Sequence, residues 1–205
     1  MSEREHCTQA GTGVMSTYRI YPGVRLGPQA IIEDYCIIGV PPRGAAEGEF
    51  ETVLGSEAHL RSHTVIYAGN VIGNGFQTGN KVNIRELNRI GDNVSVGTLS
   101  VIEHHIEIGN NVRIHSQAFI PEFSVLEDDA WIGINVVRTN AKYPLLPGVK
   151  ESLQGPRIKR GAKIGANATL LPGVVNGADY STVLRTALLI FRTFFLSQSL
   201  GKQDL

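Results

Sequence analysis

From residue 54 to residue 132 every sixth position is aliphatic: Leu54, Leu60, Ile66, Ile72, Ile84, Ile90, Val96, Ile102, Ile108, Ile114, Ile120, Leu126 and Ile132, with Thr78 as the one exception. A period of six fits neither the 3.6 residues of a helical turn nor the plain alternation of a half-buried strand, so the pattern reads as an internal repeat. Two residues before each of these positions runs a second, mostly smaller series that includes Ala58, Thr64, Val82, Val94, Ser100, Val112, Ala118, Ser124 and Ala130. The pair of series defines hexapeptide repeats with two inward positions each.

A longer period lies over the first. Gly55, Gly73, Gly91 and Gly109 are eighteen residues apart, which is three hexads and therefore one coil. The last three open the corners Gly73-Asn74-Gly75, Gly91-Asp92-Asn93 and Gly109-Asn110-Asn111, built from residues that tolerate left-handed backbone. Short strands turning at such corners stack at about 4.8 Å around a three-sided aliphatic interior. The predicted fold is all-β, a parallel β-helix.

The same step of six starts near Ile20 and continues through Leu26, Ile32 and Ile38. Residues 1–16 are polar and aperiodic and read as a disordered N-terminal segment. The β-helix is expected over 17–177, with loops near 41–52, where prolines, glycines and glutamates interrupt the repeat, and near 138–157. Hexads resume at Ile158, Ile164 and Leu170. Residues 178–205 then change character: Leu184, Leu188, Phe191 and Phe195 recur at helical spacing behind Ser181 or Thr182, which predicts a short amphipathic C-terminal helix. Arg185 and Arg192 interrupt its apolar run, which argues against a membrane span.

Composition narrows the partners. The 205 residues are 42% hydrophobic and carry no net charge, enough for one well-buried core and no electrostatic footprint for nucleic acid. Cys7 and Cys36 lie in different segments and form neither a disulfide nor a metal pattern, as expected of free thiols in a reducing cytoplasm.

These repeats resemble those of the left-handed β-helix acyltransferases, over roughly residues 18–175, and the left hand of the helix is implied by that resemblance. Thr78-Gly79-Asn80-Lys81-Val82-Asn83-Ile84 is similar to a run in nucleotide-sugar N-acyltransferases, with Asn80 where a histidine commonly follows the Thr-Gly pair. Val101-Ile102-Glu103-His104-His105 resembles the run in amino-sugar acetyltransferases whose histidine is the general base. The resemblance makes His104 the base, with His105 where the family has an orienting acid. Since residues eighteen apart stack in adjacent coils, Glu86 and Glu122 are expected beside His104 and able to fix its tautomer. His115 also matches a family histidine, its alternative being a coil-surface residue bonded to backbone. Arg85 and Glu86 read equally as outward corner charges or as substrate contacts, because the arginine fork suits phosphate oxygens. Gly133, Asn135, Gly165 and Ala166 fall where the resemblance implies contacts to acetyl-coenzyme A, on small residues that leave a groove for its pantetheine.

The resemblance thus implies a cytoplasmic homotrimer that moves an acyl group from acyl-coenzyme A to the amino group of a nucleotide-linked amino sugar. His104, His105 and Glu122 are its candidate catalytic residues and Asn80, Arg85, Glu86 and His115 its candidate substrate contacts, with no metal expected. Two alternatives stand beside it. A catalytically silent β-helix scaffold is suggested by Asn80, by Ala141 in place of a loop acid and by the altered tail. A γ-class carbonic anhydrase would need three zinc-binding histidines, yet Gly97-Thr98 and Glu103-His104 occupy its motif positions.

Overall fold

The computed structural model describes residues 17–141, 148–149 and 153–177, and within them twenty-three short strands wind into a left-handed parallel β-helix. Three parallel sheets form its faces. The first runs from Arg19–Ile20 through Ile37–Val40, Val65–Tyr67, Asn83–Ile84, Val101–Ile102, Phe119–Ile120 and Val137–Arg138 to Thr169–Leu170. The second runs from Val24–Leu26 to Val175–Asn176, and the third from Ile31–Ile32 to Lys163–Ile164. The chain visits them in the order first, second, third, so three edges separate them.

Register follows the repeat. Ile84 pairs with Ile66 and Ile102, and Ile90 with Ile72 and Ile108, so each inward residue sits on its counterpart one coil away. Every residue of the aliphatic series from Leu54 to Ile132 is at most 6% exposed, Thr78 included. At about 1.5–3 kcal/mol for each fully buried aliphatic side chain, this column is the main source of stability. The second series is equally buried and also holds Asn70, Phe76, Asn88 and Ile106. The polar members are satisfied: Thr64 and Thr78 share a hydrogen bond of 3.0 Å, and the Asn88 amide nitrogen donates to Arg85 carbonyl while its oxygen accepts from Ile106 N–H at 2.8 Å.

The glycines eighteen apart have a different cause from the one the sequence suggested. Positive φ falls two residues later, at Gly75, Asn93 and Asn111. At Gly73 a Cβ would lie 2.3 Å from Asp92 Oδ1, and at Gly109 2.3 Å from Asp128 Oδ1. Those carboxylates accept the backbone N–H groups of Asn74 and Asn110, at 2.7 and 2.8 Å, so the glycines make room for a ladder that ties one coil to the next. Left-handed corners recur at every hexad, on all three edges, and include Lys81, Leu87, Leu99, His105, Gln117 and Phe123.

Two interruptions shape the surface. Residues 41–51 leave the helix between Val40 and Thr52. The break expected from Arg138 begins later, because Arg138 is still paired with Leu170, and the next strand is Arg157–Ile158. Part of that second interruption, the N-terminal segment and the predicted C-terminal helix lie outside the described residues. Ile20 and Leu26 hold inward positions but are 39% and 37% exposed, since no coil covers them from the N-terminal side among the described residues. Cys36 is buried and free, and burial pushes its thiol pKa up. No helix among the described residues is long and apolar enough to cross a membrane.

Candidate active site

The edge between the first and second faces differs from the other two. Where those edges place Gly73, Gly91 and Gly109, or Gly79 and Gly97, against the next coil's backbone, this edge carries Arg85, Glu103 and Pro121. Its corners therefore present side chains. One column consists of Glu86, His104, Glu122 and Asn140, and the next of Leu87, His105 and Phe123, at φ values of 61°, 56° and 61°. Left-handed backbone costs a residue with a Cβ about 1–2 kcal/mol. It occurs at corners throughout this molecule, so it reflects coil geometry rather than stored strain at a site.

Within these columns the charges are partnered. Arg85 grips Glu86 with two bonds, Nε to Oε2 at 2.8 Å and Nη2 to Oε1 at 2.9 Å, and reaches Glu103 Oε2 at 3.4 Å. Burial raises the Glu86 carboxyl, but the Arg85 fork, a backbone hydrogen bond and the Arg85 charge together hold its pKa below the usual carboxylate value. The bond from Glu86 in turn raises the Arg85 pKa. Arg85 is thus committed to two carboxylates and is not the open phosphate fork that one sequence reading allowed.

His104 sits between them and Glu122. Its Nε2 is 3.2 Å from Glu122 Oε1, and its Nδ1 is 2.8 Å from His105 Nδ1. Asn140 Nδ2 donates to the other Glu122 oxygen, Oε2. Phe123 packs edge-on to His104 at 6.1 Å and tilted against His105 at 5.7 Å between ring centroids. The expected stacking of His104 with carboxylates above and below is present, the closer one being Glu122.

An open cleft of about 310 Å³ lies beside the pair, lined by Pro42, Arg43 and Phe50 of the excursion and by Glu86, His104 and His105. The excursion thus lies over histidines of its own chain. Glu103, His104 and Glu122 each offer a ligand atom within 4.8 Å of the others, the separation a bound cation requires. Arg85 reaches Glu103 and Asn140 donates to Glu122, so both carboxylates already have protein hydrogen-bond partners. A second cleft of about 440 Å³ contains Glu33, whose carboxyl is raised by burial but held low overall by the Ser62 amide, His59 and Arg61.

The remaining sequence candidates lie on another edge, between the third and first faces. Asn80 donates to Ser62 Oγ at 2.7 Å, and its backbone N–H donates to Thr98 Oγ1 at 3.3 Å. His115 packs on the Trp131 ring at 4.6 Å. Asn135 donates to Asn167 Oδ1 at 2.8 Å, and Gly133 faces Gly165 and Ala166 so closely that a Cβ would lie 2.7 Å from the Ala166 nitrogen. One chain therefore brings His104, His105, Glu122, Arg85 and Glu86 together but leaves Asn80, His115, Gly133, Asn135, Gly165 and Ala166 at the opposite end of the first face. Phe123, Asn140 and the 41–51 excursion were not among the sequence candidates. The eighteen-residue step would have found the first two, since Phe123 stacks on His105 and Asn140 on Glu122.

Residues 89–122, which include the histidine pair, match the bacterial transferase hexapeptide (six repeats) family. No curated protein matches the chain. Among solved structures it resembles a variant of AntD, an N-acyltransferase from Bacillus cereus solved with dTDP and coenzyme A, at 14% identity and a TM-score of 0.43, over 53% of this chain and 72% of that one. It also resembles a UDP-N-acetylglucosamine acyltransferase from Campylobacter jejuni, at 14% identity and a TM-score of 0.45, over 80% and 66%. The acetyltransferase domain of PglB from Neisseria gonorrhoeae overlaps at 14% identity and a TM-score of 0.40, over 78% of this chain and 52% of that domain.

Proposed function

We propose that this protein transfers an acyl group from acyl-coenzyme A to the amino group of a nucleotide-linked amino sugar. The observation that carries the reading is the His104–His105 pair, anchored by Glu122 beside a cleft and lying within the stretch that matches the hexapeptide transferases. Acyl transfer to an amine needs a proton acceptor as nitrogen attacks the thioester carbonyl, and an imidazole within reach of the amine supplies it. His104, which the motif resemblance nominates, and His105, bonded to it, are the groups here suited to that task. Phe50 and Leu87 line the cleft and supply apolar walls for the thioester.

The nucleotide's phosphates need a cation. Arg85 is occupied by Glu86 and Glu103, whereas Arg43 lines the cleft without an ion pair among the described residues, and we assign the phosphate contact to it. The coenzyme groove is assigned to Gly133, Asn135, Gly165 and Ala166 at the other edge, where small side chains let pantetheine approach backbone amides. Because these two edges do not meet within one chain, a complete site requires a second subunit, in keeping with a homotrimer. Calorimetric titration with acetyl-coenzyme A tests the reading: saturable binding, followed by thiol release only when an amino-sugar nucleotide is added, supports it. Absence of coenzyme binding defeats it in favour of a catalytically silent β-helix.

A further inference from the structure

Resting on that reading, we propose that Glu122, His104 and His105 form a single relay whose proton-accepting atom is Nε2 of His105, with His104 a positioning residue behind it. The placement of hydrogens on the two rings decides the assignment. A neutral imidazole carries one N–H and one lone pair, and the partner of one nitrogen fixes what the other must be. Glu122 Oε1 lies 3.2 Å from His104 Nε2, and a carboxylate oxygen at that distance favours a proton on that nitrogen. His104 Nδ1 then presents its lone pair. His105 Nδ1, 2.8 Å away, must be the donor, because two lone pairs cannot face each other at hydrogen-bond distance. The only lone pair left is on His105 Nε2. That nitrogen has no hydrogen-bond partner among the described residues, and its ring is exposed at the cleft.

Motif resemblance ranks His104 first, yet both of its nitrogens are already engaged. The residue standing where the family has an acid becomes the acceptor, and the true acid lies one coil away at Glu122. Asn140 completes the device by holding the second Glu122 oxygen, which keeps Oε1 turned toward His104. The other charged groups around the pair are Glu86, Glu103 and Arg85 on the edge, and Arg43 and Glu49 from the excursion.

In the transfer step the amine nitrogen forms a bond to the thioester carbonyl carbon and its proton passes to His105 Nε2. The Nδ1 proton of His105 moves to His104 Nδ1, so the positive charge rests on His104 beside Glu122. When the carbon–sulfur bond breaks, the proton retraces this path and leaves with the coenzyme thiolate as thiol. Atoms and charge balance without any further reactant.

The test is ring-nitrogen NMR on the full chain labelled with ¹⁵N, recorded near pH 8 without substrate. The relay requires His104 protonated at Nε2 and His105 protonated at Nδ1. Finding His105 protonated at Nε2 overturns it. Glu122→Gln provides a second readout. Asn140 continues to hold the side-chain oxygen, so the Gln amide nitrogen faces His104 Nε2, and both rings should switch to the opposite tautomer. Unchanged tautomers in that variant also overturn the proposal. In kinetics, His105→Ala should lower kcat by about 10²- to 10⁴-fold, and near-normal turnover in this variant counts against the relay. The acyl-transfer reading is judged separately: a parent protein that consumes no acyl-coenzyme A defeats that reading alone, because the tautomers are read without turnover.

Discussion

Between Leu54 and Ile132 the interior of the β-helix is aliphatic, and its few polar side chains all have partners. Between Val137 and Asn176 the same inward columns hold Arg138 and Asn176. The Arg138 guanidinium is 1% exposed, and neither its three nitrogens nor Asn176 Nδ2 meet a hydrogen-bond acceptor among the described residues. The corners run the other way. The middle coils place Lys81, Leu87, Leu99, Gln117 and Phe123 in left-handed backbone alongside Gly75, Asn93 and Asn111, whereas the last coils place only Gly161, Asn167 and Gly173 there among the described residues. In a stacked repeat each coil's stability depends on its own interior and on its neighbours, so such differences stay local.

The sharpest way to break this contrast is to give the middle coils the defect of the last ones. Ile102→Arg places an unpaired charge at a fully buried position and should cost about 3–5 kcal/mol or more, seen as loss of the folded baseline in denaturant titration. A folded, cooperative Ile102→Arg protein would show that the interior accepts arginine generally and that Arg138 is unremarkable.

Arg138→Leu should act in the opposite direction and stabilise by about 1–4 kcal/mol, because it removes a desolvated charge without orphaning a partner. Its pH dependence has a definite sign. Burial lowers the Arg138 pKa from the ordinary arginine value to about 9, so above about 9 the unfolded chain binds a proton that the folded chain has lost. The penalty is complete below about 9 and fades as pH rises above it. The stability gap between variant and parent should therefore be constant from pH 7 to 8.5 and shrink by pH 10.5. A gap that widens with alkalinity would contradict the buried, unpartnered charge.

Asn88→Leu sharpens the same point for neutral groups. It strips the partner from the Ile106 N–H and should cost about 1–3 kcal/mol. Asn176→Leu, at a position whose amide nitrogen is unpaired, should be near neutral or stabilising by the same measurement. Equal losses at the two sites would erase the distinction between satisfied and unsatisfied interiors. The smallest effect is expected at a corner. Leu99→Asn, at φ 60° and half exposed, should gain about 0.5 kcal/mol in thermal or chemical unfolding, since asparagine accepts this backbone more readily.

The sequence by itself determined the coil. An aliphatic residue at every sixth position permits one stacking, and the register Ile84–Ile102–Ile120 follows from it without further information. The same step placed Glu122 beside His104. It marked the corners that end in Gly75, Asn93 and Asn111 but not those at Leu87 or Phe123, where left-handed backbone is imposed by closure of the coil and leaves no chemical signature. Nor did it reveal why Gly73 and Gly109 are glycine, which depends on an oxygen of the following coil.

What only the tertiary structure decided is how the side chains share hydrogens and space. Arg85 turned to two carboxylates, the 41–51 excursion lay over the histidines, and His104 came to lie between Glu122 and His105. Spacing fixes which residues stack, whereas rotamers and partners set by neighbouring coils fix which atoms meet. The fold was legible because it rests on a repeated hydrophobic position, and the site was not because it depends on single hydrogen bonds between residues that the repeat leaves free to vary.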